Sequence, residues 1–288
     1  MDGLHKFERC IGRNVGEETG QMHKNVTGRR ARRHIVLPAA AAAAVTLAAA
    51  ALLALGWYVL RGSGADGLLM PHLRRPVQRH TVAVDSGHGG ADVGAKGLVD
   101  EITVTQATAA ALLALLEADG AYAPVQIHTD DTAPTPQQRA QTAKDAGAEL
   151  FLSLHANKDT SAASCGFECY AVPPGREQHG ESLRFARLVC ARMEEAGARI
   201  RGADGVRYAY YKNGGKMMKE SSDDTVYRYP TFGVLQEAAC PSVLIEQCFI
   251  SNADDLAAWG TEEGCAAAAY CYYRAICDYF GTQPLPAG

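Results

Sequence analysis

Apolar residues fall along this chain in short blocks that alternate between two spacings. Thr81-Val82-Ala83-Val84-Asp85 has hardly a polar interruption, as expected of a strand buried on both faces. Glu101 to Glu117 sets Val104, Leu112, Leu115 and Leu116 at helical spacing, with alanines filling the turns between them. The same reading predicts strands over 125–128, 149–154, 166–172 and 242–249. It predicts helices over 136–146, 177–196 and 261–280, the first entered through Thr135 as N-cap. Alternation of this kind predicts an α/β domain with a mostly parallel central sheet flanked by helices on both faces.

Upstream the pattern changes. Residues 35–60 carry no charge and include the alanine runs Ala39–Ala44 and Ala48–Ala51. As a helix this stretch would be roughly 39 Å long, more than the ~30 Å hydrocarbon core of a bilayer requires. Arg29, Arg30, Arg32 and Arg33 directly precede it, which keeps the N-terminus cytoplasmic by the positive-inside rule. Trp57 and Tyr58 near its far end suit the opposite headgroup layer. The expected organisation is a basic cytoplasmic segment (1–34), a transmembrane anchor (35–60), a Gly/Pro-containing linker (61–80), a catalytic domain (81–281) and a short tail (282–288). A cleaved signal peptide is the alternative, and it would make the protein secreted. In either case the body of the chain is exported.

Charge supports this topology. The net −4 divides into +4 over residues 1–34 and −8 over 61–288. An acidic body argues against nucleic acid as a partner. Eight cysteines fall in the exported part: Cys165, Cys169, Cys190, Cys240, Cys248, Cys265, Cys271 and Cys277. They allow 105 pairings, so the sequence leaves open whether any are bridged. No Cys-x-x-Cys pair occurs among them, which argues against a cysteine zinc site.

The chemistry lies in four residues. His88 follows the first strand within Asp85-Ser86-Gly87-His88-Gly89-Gly90, Glu101 opens the next helix, and His155 follows the strand ending at Leu154. Two imidazoles and one carboxylate are a ligand set that leaves Zn²⁺ one open position for water, the hallmark of a catalytic rather than a structural zinc. Glu246, toward the end of Ser242-Val243-Leu244-Ile245-Glu246, supplies the carboxylate that a zinc hydrolase needs as general base. In open α/β sheets, sites form beyond the carboxyl ends of the strands. All four residues are predicted to meet at that edge.

These residues resemble the zinc-dependent N-acetylmuramoyl-L-alanine amidases of bacterial cell-wall metabolism. The likeness spans roughly Thr81 to Phe280. It is carried by Val84-Asp85-Ser86-Gly87-His88-Gly89-Gly90, by Ser153-Leu154-His155-Ala156-Asn157, and by Pro241-Ser242-Val243-Leu244-Ile245-Glu246 running on to Phe249-Ile250-Ser251-Asn252. The resemblance implies that His88, Glu101 and His155 hold one Zn²⁺ and that Glu246 is the catalytic carboxylate. The implied substrate is peptidoglycan, cut at the amide between muramic acid and L-alanine. Three positions depart from the family pattern. Ser86 stands for proline, Thr105 for asparagine, and Gln247-Cys248 for Thr-Gly. Two other readings stay open: an exported zinc peptidase or deacylase acting on another amide, and a non-catalytic wall-binding or regulatory domain of the same fold.

Between Arg199 and Pro230 the chain carries Tyr208, Tyr210, Tyr211, Tyr227 and Tyr229 with Lys212, Lys216 and Lys219. Tyrosines can stack on sugar rings, and lysines can meet peptide carboxylates. A solvated loop with an edge hairpin, or a cover over the zinc, are the alternatives.

Overall fold

The strands that read as uninterrupted apolar runs form the middle of a seven-stranded sheet. The computed structural model describes residues 79–286 and the helical pair Leu52–Leu53. Apart from that pair, the expected cytoplasmic segment, membrane anchor and nearly all of the linker lie outside the described residues. In chain order the elements are β1 (His80–Ser86), α1 (Glu101–Ala118), β2 (Tyr122–Gln126), α2 (Pro136–Asp145), β3 (Leu150–Asn157), β4 (Glu168–Ala171) and α3 (His179–Glu195). There follow β5 (Val206–Lys212), β6 (Gly215–Glu220), α4 (Gly233–Glu237), β7 (Ser242–Phe249), α5 (Ala253–Trp259) and α6 (Glu262–Phe280).

The strand order is β2-β1-β3-β7-β4-β5-β6. The first four strands pair in parallel, as expected. The other half makes the sheet mixed while four of its six pairings stay parallel: β4 runs antiparallel to β7 but parallel to β5, and β6 antiparallel to β5. The reason is local. No helix separates β3 from β4, and the chain can return beside β7 only by reversing direction.

Helices cover both faces. Val82, Val84, Leu152, Leu154, Val243 and Ile245 point into a core formed with α1, α3 and α6, where Leu112, Leu116, Phe185, Tyr272 and Ile276 are fully buried. Helix α1 packs against both the sheet and α6, and its exposed stripe is largely alanine (Ala110, Ala114, Ala118), so it reads as apolar nearly all round. The opposite face packs Ala83, Phe151, Tyr170, Ala209 and Leu244 under the short helices α2 and α4. Thr135 caps α2 as predicted: its hydroxyl accepts from Gln138 N while Gln138 Oε1 accepts from Thr135 N, a complete capping box with Pro136 at the first helical position. All eight cysteines of the described residues are free thiols, and seven of them are buried.

Candidate active site

Each candidate residue is placed by the element that precedes it. β1 ends at Ser86, and the chain turns through His88, which adopts a left-handed φ of 71°. Gly87 must be glycine, because a Cβ there would lie 2.5 Å from His155 Cε1 and 2.6 Å from Leu154 O. Glu101 is the first residue of α1 and is buried. His155 lies on β3, and Glu246 is its Cα partner on β7. The four residues therefore converge at the carboxyl edge of the parallel strands, as predicted.

Glu101 is the centre of the group. Its Oε2 lies 3.0 Å from His88 Nε2, and its Oε1 lies 2.9 Å from His155 Nδ1. The amides of Ala95 and Ala156 donate to the same two oxygens at 2.9 and 3.1 Å. Burial alone would raise the Glu101 pKa. Hydrogen bonds from His155 and His88 outweigh it and hold the carboxyl well below the ordinary range. Burial pulls His88 down, but Glu101 and then Asp92 lift it to about 9. The buried carboxylate thus favours a positive charge beside it, which protonated His88 or a shared cation would carry. One ligand atom from each of His88, Glu101 and His155 lies within 4.8 Å of the other two. Two nitrogens and one oxygen so converged fit a small divalent cation of the zinc type. Asp92 Oδ2, 2.9 Å from His88 Nδ1, fixes the ring by its other nitrogen.

Glu246 is half-buried beside this group. Burial raises its pKa to about 7, with His155 and Lys216 pulling against the rise and Glu101 and Glu168 adding to it. A carboxylate poised near neutrality can take up and release a proton at working pH. It opens onto a cleft of about 240 Å³ walled by His88, His155, Arg139, Pro136, Phe232 and Leu244, among others.

The N-acetylmuramoyl-L-alanine amidase family model matches residues 82–278. The chain belongs to that family. The enzyme class expected from the sequence is thereby met. The chain is similar to the N-acetylmuramoyl-L-alanine amidase LytC of Bacillus subtilis, 32% identical over 186 residues, covering 64% of this chain and 32% of LytC. It thus spans about a third of the length of that relative. It is 30% identical over 206 residues to the uncharacterized protein YqiI of the same organism, covering 71% of this chain and 87% of YqiI. Among solved structures, the catalytic domain of the amidase CwlV from Paenibacillus polymyxa superposes with a TM-score of 0.57 at 28% identity, covering 71% of this chain and 99% of that one.

Of the three departures from the amidase pattern, those at Thr105 and Gln247 make side-chain hydrogen bonds. Thr105 Oγ1 donates to Gly87 O at 2.9 Å and so pins the His88 turn from α1. Gln247 points away from the cleft, accepting from Thr108 Oγ1 at 3.0 Å and donating to Trp259 O at 2.6 Å. Cys248 is fully buried. The Ser86 carbonyl belongs to a network that sequence reasoning missed. Arg139, 7% exposed, donates through Nη1 to Asp85 Oδ1 (2.7 Å) and Ser86 O (2.9 Å), and through Nη2 to His88 O (2.8 Å). Ser153 Oγ donates to the other oxygen of Asp85, at 2.7 Å. Of the tyrosines offered as sugar platforms, Tyr208 and Tyr210 are fully buried in the core.

Proposed function

We propose that the protein hydrolyses the amide between N-acetylmuramic acid and L-alanine in peptidoglycan, with Zn²⁺ held by His88, Glu101 and His155 and with Glu246 as general base. The observation that carries this reading is the register of His155 and Glu246 on neighbouring strands beside the His88–Glu101 pair. Zinc would supply Lewis acidity, polarising the amide carbonyl and acidifying water. Glu246 takes the proton of the attacking water and later returns it to the departing alanine nitrogen. Asp92 holds His88 in the tautomer that leaves Nε2 free for the metal. Phe232, Pro136 and Leu244 supply an apolar wall that excludes bulk water from one side of the cleft.

The uncharged stretch 35–60, with its preceding arginines, supports an enzyme tethered to the membrane with its catalytic domain outside. Digestion of purified peptidoglycan by the protein should release free stem peptides, and a chelator should abolish the release. Fragments cut within the stem would instead mark a peptidase. Intact wall in the presence of zinc-loaded protein would mark a binding domain.

A further inference from the structure

The hairpin β5–β6 adds a cation to the rim of the cleft. Strand alternation sorts its side chains by face. Tyr208 and Tyr210 of β5 turn into the core on the face covered by α3, whereas Tyr211 turns to the cleft face, where it is 39% exposed. Lys216 of β6 is the Cα partner of Tyr211. Its Nζ lies 4.8 Å from the centre of the Tyr170 ring and 4.7 Å from that of Phe232. Tyr211 stands edge-on to the same Phe232 ring, with centroids 6.0 Å apart. Phe232 lines the cleft, and Tyr170 lies on β4 next to Glu168, the Cα partner of Glu246.

The three lysines of the segment are not equivalent. Lys219 pairs with Asp223 at 3.3 Å, and Lys212 sits over Tyr229. Lys216 has no carboxylate within ion-pair distance among the described residues. Two aromatic faces hold its ammonium in place without neutralising it. Glu246, Asp92 and Asp85 line the cleft beside it, with Asp85 paired to Arg139 at 2.7 Å. Lys216 is thus a cation at this rim that no carboxylate of the described residues neutralises, free to meet an anionic group of a bound peptide.

We propose that Lys216, seated over Tyr170 and Phe232, is a specificity residue that binds a carboxylate on the stem peptide directly after the L-alanine. This rests on the amidase reading above. The test compares two substrates of the same shape, N-acetylmuramoyl-L-alanyl-D-glutamate with its γ-carboxyl capped as an amide and a free α-carboxylate, and the same compound with both carboxyls amidated. The wild-type protein should favour the free acid in kcat/KM by about fivefold, the size expected of a charge pair open to solvent. In K216Q the ratio should fall to near one, in K216E it should invert, and in K216R it should persist. Any effect of Lys216 on Glu246 acts on both substrates and cancels in the ratio. Equal rates for the two substrates in the wild type, or an unchanged ratio in K216Q, would overturn the role of Lys216 and leave the amidase reading intact. Failure of the wild type to cut either compound or whole peptidoglycan would bring down both.

Discussion

His155 and Glu246 are Cα partners on adjacent parallel strands, so their side chains leave the same face of the sheet one strand spacing apart, about 4.8 Å. A base and a candidate metal ligand are thereby placed by backbone hydrogen bonds alone, without a loop that must first close. Glu246 need not touch the metal to be well positioned. The expected outcome for E246Q is one zinc per chain, as in the wild type, with turnover on peptidoglycan reduced by about 10²- to 10⁴-fold. Elemental analysis and release of stem peptides measure the two halves. Near-normal turnover in the variant would remove Glu246 from the mechanism.

The same residue should make stability depend on pH. Its folded pKa of about 7 lies above the ordinary 4.5. For a group raised on folding, the stabilisation is complete below the unfolded value and is lost as pH rises through the folded one. Glutamine stays neutral throughout. Metal-free E246Q should therefore match the wild type near pH 4 and exceed it by about 1–3 kcal/mol at pH 8. Denaturant titration of both proteins at the two pH values decides it. A constant difference across the range would show that Glu246 is already ionised without strain. The metal must be absent, because a cation next to Glu246 would pull its pKa back down.

Much of the site was legible because each of its residues sits at the end of a locally patterned element. β1, β3 and β7 are buried on both faces, so their apolar runs show in the sequence, and His88, His155 and Glu246 lie at or just past the ends of those runs. The edges of the sheet were harder. β2 begins at Tyr122, three residues before the predicted start, and includes Pro124, which an edge strand tolerates because its outer side needs no donor. The β5–β6 turn carries Asn213-Gly214 with φ of 51° and 78°, the Asn-Gly signal of a tight hairpin. It bears out the edge hairpin offered as one reading of the segment between Arg199 and Pro230. Arg139 was least legible. In α2 it looks like a surface helix residue, and only a contact reaching across 54 positions to Asp85 reveals its burial.

That contact predicts a large effect for R139M. Removing the guanidinium leaves Asp85, 1% exposed, with His128 at 3.5 Å as its remaining partner able to carry positive charge, and strips a donor from the carbonyls of Ser86 and His88. A loss of about 3–5 kcal/mol is expected from breaking one side of a buried pair. R139M combined with D85N should recover part of it, because the buried charge goes as well. Thermal unfolding of the two variants measures this. A double variant no more stable than R139M would mean that the cost comes from lost packing rather than the orphaned charge.

Gly94 tests the site without touching a ligand. It has φ of +70°, and a Cβ there would lie 2.5 Å from His88 Cδ2 and 2.7 Å from Glu101 Oε2. The methyl group of G94A cannot fit unless one of those side chains moves, and the left-handed backbone adds strain of about 1 kcal/mol. The core under α1, α3 and α6 is remote from this loop, so the variant should still fold with native secondary structure. Displacing His88 or Glu101 should weaken zinc binding by at least about tenfold, the scale of disturbed support around a metal site. Competition with a chromophoric chelator reads the affinity, and circular dichroism reads the fold. Zinc bound as tightly as in the wild type, with the fold intact, would show that His88 and Glu101 do not grip the metal in the arrangement inferred for them.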